Sequence, residues 1–211
     1  MDLRPGHRPS ISSPEKFQAA SAEMPEDIPT LCTLLRELNA IEGDFWIRLL
    51  YTHPAHWTDE LIQTIAECPK VARYVDMPLQ HISDSVLKAM KRGTNGETIR
   101  KRVRELRERI PNLTLRTTML VGYPGETEED FQQLLAFIKE AKFERLGAFA
   151  YSREEGTPSY DLTDQVPDDI RARRLDELMY TQRDIARVYN EEMIGQEVEV
   201  LIEKQSSESD L

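Results

Sequence analysis

Residues 115–131, LRTTMLVGYPGETEEDF, restrict the fold of this chain more than any other segment. An apolar run, 117–121, leads into two glycines and a proline and then into an acidic stretch. Such a run predicts a parallel strand covered on both faces. Gly122 and Gly125 permit tight turns at its C-terminal end, and Pro124 stiffens the connection. Thr127 reads as a helix N-cap, with Asp130 three residues on and Glu128 and Glu129 where the helix dipole favours negative charge. Ligands of α/β sheets and barrels collect at such strand–loop–helix corners. Taken alone, the segment fits an ordinary βα turn equally well. The rest of the chain tips the balance.

That unit is one of several. Leu31, Leu34, Leu35 and Leu38 recur at helical spacing within 29–41. A strand is predicted over 44–51, a helix over 59–67, and a second strand over 73–79, ended by Pro78. Helices follow at 83–91 and at 97–110, the latter stopped by Pro111. The third strand, 113–121, leads into a helix over 128–142, and the fourth strand covers 146–151. A long helix over 167–193 begins at a proline and ends before Gly195. Strands separated by helices argue for an α/β fold of parallel βα units. Residues 197–203, EVEVLIE, alternate polar and apolar like an exposed strand.

With 211 residues the chain can form one substantial domain, or one domain plus a fragment. Its net charge of −11 marks an acidic protein, and no segment approaches the roughly 20 apolar residues of a membrane helix. The start has no apolar core of the signal-peptide kind. Cys32 and Cys68 are too few and too far apart for a local metal motif or a disulfide framework, which suits reduced thiols in the cytoplasm. The first 27 residues, rich in Pro, Ser and charge, are expected to be disordered.

Four clusters fall at the ends of the four strands: YTHPAH (51–56, after Arg48), DMPLQH (76–81), GYPGE (122–126) and SREEGT (152–157). If the strands are parallel, all four meet on one rim. His81 could cap the following helix, but a functional reading is favoured because Gln80 and His81 offer donors and acceptors where a substrate could reach them. Glu126 could accept hydrogen bonds from a ligand's amine or hydroxyl. Arg48, among apolar residues, needs a partner such as Asp76 or a ligand carboxylate. Ser152, Glu154 and Glu155 face the same rim, or are solvated turn residues. The basic run 88–109 is interleaved with glutamates, so a solvated helix with i,i+4 pairs is favoured over an RNA-binding patch.

The succession WIRLLYTHP, YVDMPLQHISDSVLKAMKR, LRTTMLVGYPGETEEDF and FAYSREEGTPSYDLTDQVP resembles the radical S-adenosylmethionine methylthiotransferases from about residue 28 to 203. Within that family it is most similar to the RimO branch, which methylthiolates an aspartate of a small-subunit ribosomal protein. The sister branch modifies adenosine in tRNA and usually carries arginine where this chain has glutamate in SREEGT. Glu154 and Glu155 would repel a phosphate backbone and so favour a protein substrate.

The resemblance implies an open βα barrel, a 4Fe-4S cluster on a C-x3-C-x2-C loop that cleaves S-adenosylmethionine, a second cluster in an N-terminal domain, and a C-terminal TRAM β-barrel. This sequence contains no C-x3-C-x2-C, and neither cysteine matches a family cluster ligand. The expectation is therefore a partial barrel of four strands over 28–194, with 195–211 as a truncated start of the TRAM domain. It would be a gene fragment, split gene or mis-started protein, inactive alone unless another chain supplies the missing half. By the resemblance, Gly122, Gly125, Glu126, Gln80, His81 and Arg48 would line the S-adenosylmethionine pocket. Ser152, Glu154 and Glu155 would face a ribosomal protein or the ribosome, and RNA contact would fall to the rest of the TRAM domain. A non-catalytic remnant or interaction module is the reading of a different class.

Overall fold

The computed structural model describes residues 29–202. The expected disorder of 1–27 lies outside the described residues. Helix α1 (Leu31–Ala40) begins at a reciprocal capping box between Thr30 and Thr33 and is followed by strand β1 (Ile47–Leu49). Helix α2 (Asp59–Glu67), capped by Thr58, precedes β2 (Val71–Asp76). Two helices come next, α3 (Asp84–Ala89) and α4 (Gly96–Arg109), the second capped by Asn95. Strand β3 (Thr114–Val121) leads into α5 (Glu128–Ala141), where Thr127 and Asp130 form the capping box that their spacing predicts. Strand β4 (Arg145–Ala150) and the 25-residue helix α6 (Asp168–Glu192) complete the order. Among the described residues no helix is long and apolar enough to cross a membrane.

The four strands form one all-parallel sheet in the order β1-β2-β3-β4. Each strand is joined to the next through helix, which returns the chain to the same end of the sheet. Helices cover one face of this sheet, and their apolar sides merge with it into a single core that includes Leu35, Ile62, Ile99, Met119, Phe131 and Leu178.

The opposite face is bare, and this corrects the expectation of a strand covered on both sides. Along β3, Leu115, Thr117, Met119 and Val121 are buried, whereas Arg116 is exposed and Thr114, Thr118 and Leu120 are half-buried. The alternation has period two because a single helical layer covers the sheet. Its neighbours follow suit: Trp46 and Leu50, flanking β1, are about half exposed, and Phe149 on β4 is 63% exposed.

Two strand expectations shrink or fail. Instead of spanning 44–51, β1 is three residues long, because it lies at the sheet edge with one partner and an irregular register against β2. Residues 197–202 are exposed and lie in no strand. Alternating polarity makes a strand only where a second strand supplies the hydrogen bonds, and none lies beside this segment among the described residues.

Candidate functional site

Parallel topology brings the ends of β1 to β4 to one rim, so the loops carrying Gln80, His81, Gly122, Gly125, Glu126 and Ser152 share one end of the sheet. Arg48 lies on the bare face of β1. Gln80 is held there by its own backbone: its N–H donates to the Thr118 carbonyl at 2.9 Å and its carbonyl accepts from Leu120 N–H at 2.8 Å. Its φ of +71° turns the chain away from β2 toward the next helix.

The GYPGE turn is closed from the helix side by α6. Gly122 has φ +74° and Gly125 φ +82°, and a Cβ on either would meet Arg171 or Asp164 respectively. Arg171 donates to the Tyr151 carbonyl at 2.6 Å, and Gly125 N–H donates to the Asp164 carbonyl at 2.8 Å. Glycine is required at both places for close approach as well as for backbone conformation.

Beneath the turn lies a buried polar group of three. Glu126 accepts the Gly122 N–H on Oε2 at 2.8 Å and Arg174 Nη1 on Oε1 at 2.8 Å. Arg174 also donates to the Glu126 carbonyl at 3.1 Å and to Glu128 Oε2 at 3.2 Å. His81 is fully buried, its Nδ1 accepts the Ser83 N–H at 3.0 Å, and its Nε2 lies 3.6 Å from Glu126 Oε2. An acceptor Nδ1 on a neutral ring leaves the proton on Nε2, which is buried without a hydrogen-bond partner.

This geometry corrects three expectations. Glu126 does not hold a free carboxylate for a ligand; both oxygens serve to fasten the turn to α6. His81 is turned inward as well, accepting the N–H of Ser83, the N-cap residue of α3, on Nδ1, and no side chain caps that helix. Arg48 is exposed and stacks on Tyr74, 5.1 Å from the ring centroid, because alternation places it on the bare face. Asp76 pairs with Arg116 at 3.5 Å instead. Ser152, Glu154 and Glu155 are exposed on the rim; the Ser152 hydroxyl donates to Glu154 and the Glu154 carbonyl accepts from Thr157, forming a local turn. Arg171, Arg174 and Asp164, which organise the site from α6 and the loop before it, went unread in the sequence. The RARR run at 171–174 in an acidic chain was the available signal.

Burial dominates the titration of this group. It raises Glu126 to about 6 against the opposing pull of Arg174, and it lowers His81 to about 4. At neutral pH the glutamate is therefore ionised and the histidine neutral. Between pH 4 and 6.5 the unfolded chain binds a proton at His81 that the folded chain refuses, so folding stability rises with pH. Glu126 works in the opposite sense between 4.5 and 6, because the folded state holds that proton more tightly than the unfolded one. The histidine shift is the larger, so the two together should raise stability by roughly 1 kcal/mol from pH 4 to 6.5. Urea melts of the wild type and His81→Gln across this range check the sign: the rise should shrink in the variant by the share of His81, while His53, which burial also lowers to about 4, keeps its own. An unchanged profile would remove His81 from the account.

With the geometry in place, comparison with known proteins is informative. Residues 21–138 match the model of the radical SAM superfamily. The chain is 50% identical over 202 residues to the ribosomal protein uS12 methylthiotransferase RimO of Akkermansia muciniphila, covering 96% of this chain and 42% of that protein. It is 55% identical over 174 residues to the RimO of Opitutus terrae, covering 82% and 37%. The chain thus spans about two fifths of the length of the curated relatives it matches. Among solved structures, the coproporphyrinogen III oxidase HemN of Escherichia coli, a radical SAM enzyme, superposes with TM-score 0.59 at 18% identity over 82% of this chain and 38% of that one. The radical S-adenosylmethionine methyltransferase TsrM of Kitasatospora setae superposes with TM-score 0.52 at 23% identity over 68% and 28%. At those identities the likeness concerns the fold, and the fold is that of the radical SAM barrels.

Proposed function

We propose, on the premise that this chain belongs to the radical SAM superfamily, that it is the rim-bearing part of an enzyme that methylthiolates an aspartate of ribosomal protein uS12. The observation that carries this is identity of 50% and 55% to two uS12 methylthiotransferases across most of this chain. In such an enzyme S-adenosylmethionine and a 4Fe-4S cluster supply a carbon-centred radical. The residues of this chain do not fit the cluster. Its two cysteines are buried in the apolar core, Cys32 in α1 and Cys68 just after α2, where three converging thiolates would be needed. The ligands would come from outside this stretch, and no chemical step is routed through the cluster here.

The chain's own residues would bind and orient. Backbone at Gly122 and Gly125 and the side chain of Gln80 would line the S-adenosylmethionine pocket, with Arg48 on the bare face. Glu126 and His81 would shape the turn from below. Ser152, Glu154 and Glu155 would meet a basic protein surface, since their charge disfavours a phosphate backbone. Residues 28–194 would form the barrel part, with 195–211 leading toward a TRAM domain whose remainder would contact RNA. A cytoplasmic setting follows from a ribosomal substrate.

Deleting the gene and complementing it tests the reading by mass spectrometry of uS12 and nucleoside analysis of tRNA. Loss of the methylthio group from the uS12 aspartate, restored on complementation, with tRNA unchanged, is expected. Loss from tRNA adenosine with uS12 intact would overturn it, and loss from neither would place the chain with non-catalytic modules.

A further inference from the structure

One corner of the rim is cationic although the chain is acidic. Three segments meet there: 51–58 after β1, 77–83 after β2, and 85–96, which runs from α3 to the start of α4. None of them contains an aspartate or glutamate, in a chain that has 38. The first two are held side by side, because the Thr52 N–H and hydroxyl both donate to the Asp76 carbonyl, at 2.9 and 2.8 Å. The third reaches them through Arg92, whose Nη2 donates to the Pro78 carbonyl at 2.8 Å.

Arg92 is half-buried and makes no ion pair among the described residues, and its Nε is buried without a partner. Burial lowers its pKa from the ordinary arginine value, and no carboxylate acts to raise it. The carboxylates that flank the three segments are engaged elsewhere: Asp59 with Arg109, Asp76 with Arg116 at 3.5 Å, and Asp84 with the Gly96 N–H at 2.7 Å. A partly buried charge left without a counter-ion is costly. Beside it, His53 accepts the Ala55 N–H on Nδ1 at 3.2 Å. Burial first, and then the charges of Arg92 and His56, lower His53 to about 4. At neutral pH its ring is therefore uncharged and carries its proton on Nε2.

We infer that Arg92 and His53 form a carboxylate-binding site at the β1–β2 corner of the rim. The corner stands at the same end of the sheet as Gln80 and the GYPGE turn, because the four strands are parallel. One guanidinium balances one negative charge, and the neutral imidazole adds a hydrogen bond without adding charge. A carboxylate fits that balance, whereas a phosphate dianion exceeds it. Lys88 and Lys91 on the same segment are exposed and solvated, so they attract an anion without fixing its shape. The source of the carboxylate rests on the uS12 reading above, in which two reactants carry one: the substrate aspartate and the amino-acid end of S-adenosylmethionine.

The test follows the Arg92 Nε–H and His53 Nε2–H signals of the full 211-residue chain by NMR at pH 7, with probes added at constant ionic strength. Acetate should shift both signals saturably, and chloride should shift neither. His53→Asn keeps an acceptor for the Ala55 N–H but not the Nε2 donor. It should weaken acetate about tenfold, the loss of one hydrogen bond to a charged group. Arg92→Lys keeps the charge and a donor for the Pro78 carbonyl but not the planar fork, and should also weaken acetate. Chloride that moves the signals as acetate does, inorganic phosphate that binds more tightly than acetate, or acetate binding untouched by both variants would each overturn the site. The wild-type titrations decide even where a variant fails to fold. Competition then identifies the source. A uS12 peptide containing the target aspartate should displace acetate and its asparagine counterpart should not, which assigns the site to the protein substrate. Displacement by S-adenosylmethionine and by neither peptide would assign it to that reactant. Acetate binding that none of them displaces would leave the carboxylate site standing and count against the uS12 reading.

Discussion

Replacing Arg174 with methionine should destabilise this chain by about 3–5 kcal/mol at neutral pH, because it leaves the ionised Glu126 carboxylate buried without its counter-ion. The two are joined at 2.8 Å with side chains 5% and 0% exposed, so solvent cannot take over the role of the guanidinium. The same change strips a donor from the Glu126 carbonyl and from Glu128. Two companions isolate the cause. Adding Glu126→Gln to Arg174→Met should recover a large part of the loss, because the buried charge is then absent. Lowering the pH toward 5 should also shrink the deficit of the single variant, because Glu126 takes up a proton there. Urea denaturation at pH 7 and pH 5 measures all three. A loss below about 1 kcal/mol for the single variant would mean that the pair is no more than a surface contact.

The second large effect belongs to a glycine. Gly122→Ala should cost about 2–4 kcal/mol, combining the penalty of a left-handed backbone for an L-residue with overpacking of the new methyl. The methyl would run into the stem of Arg171, which cannot swing away without giving up its 2.6 Å bond to the Tyr151 carbonyl. Gly147→Ala in β4 is the control. That position faces open space, so the substitution should be neutral or stabilising by up to about 1 kcal/mol. Thermal melts of the two variants side by side decide the matter. Equal melting temperatures would show that the GYPGE turn tolerates a side chain.

Both effects concern the joint between the GYPGE turn and α6, which makes α6 part of the site's support. Arg171 and Arg174 are three residues apart, so one helical face reaches both the floor and the outer wall of the turn. If S-adenosylmethionine lies against the turn, its pocket is only as rigid as this contact.

Local features of the chain were readable because their causes are local. Thr127 and Asp130 sit three apart, and the capping box formed at that place. The strand–helix alternation forced parallel strands, since a helical crossover returns the chain to the same end of the sheet. From that, the gathering of Gln80, Gly122, Glu126 and Ser152 at one end of the sheet followed without any knowledge of packing.

What only the tertiary structure decided is the direction in which those residues point and what they meet. The sequence cannot say that Glu126 turns inward, because its partner Arg174 lies 48 residues away on a helix whose rotation depends on packing against β3 and β4. It cannot tell whether a strand such as β3 is covered on one face or both, because an apolar run satisfies either until the number of helical layers is known. Nor does it set Arg116 opposite Arg145, a pairing that depends on strand register. The chain by itself determined which elements form, and in what order, through caps, turns and periodicity. Register, layering and long-range charge pairing determined which of its polar groups hold the fold together and which are left open to a partner.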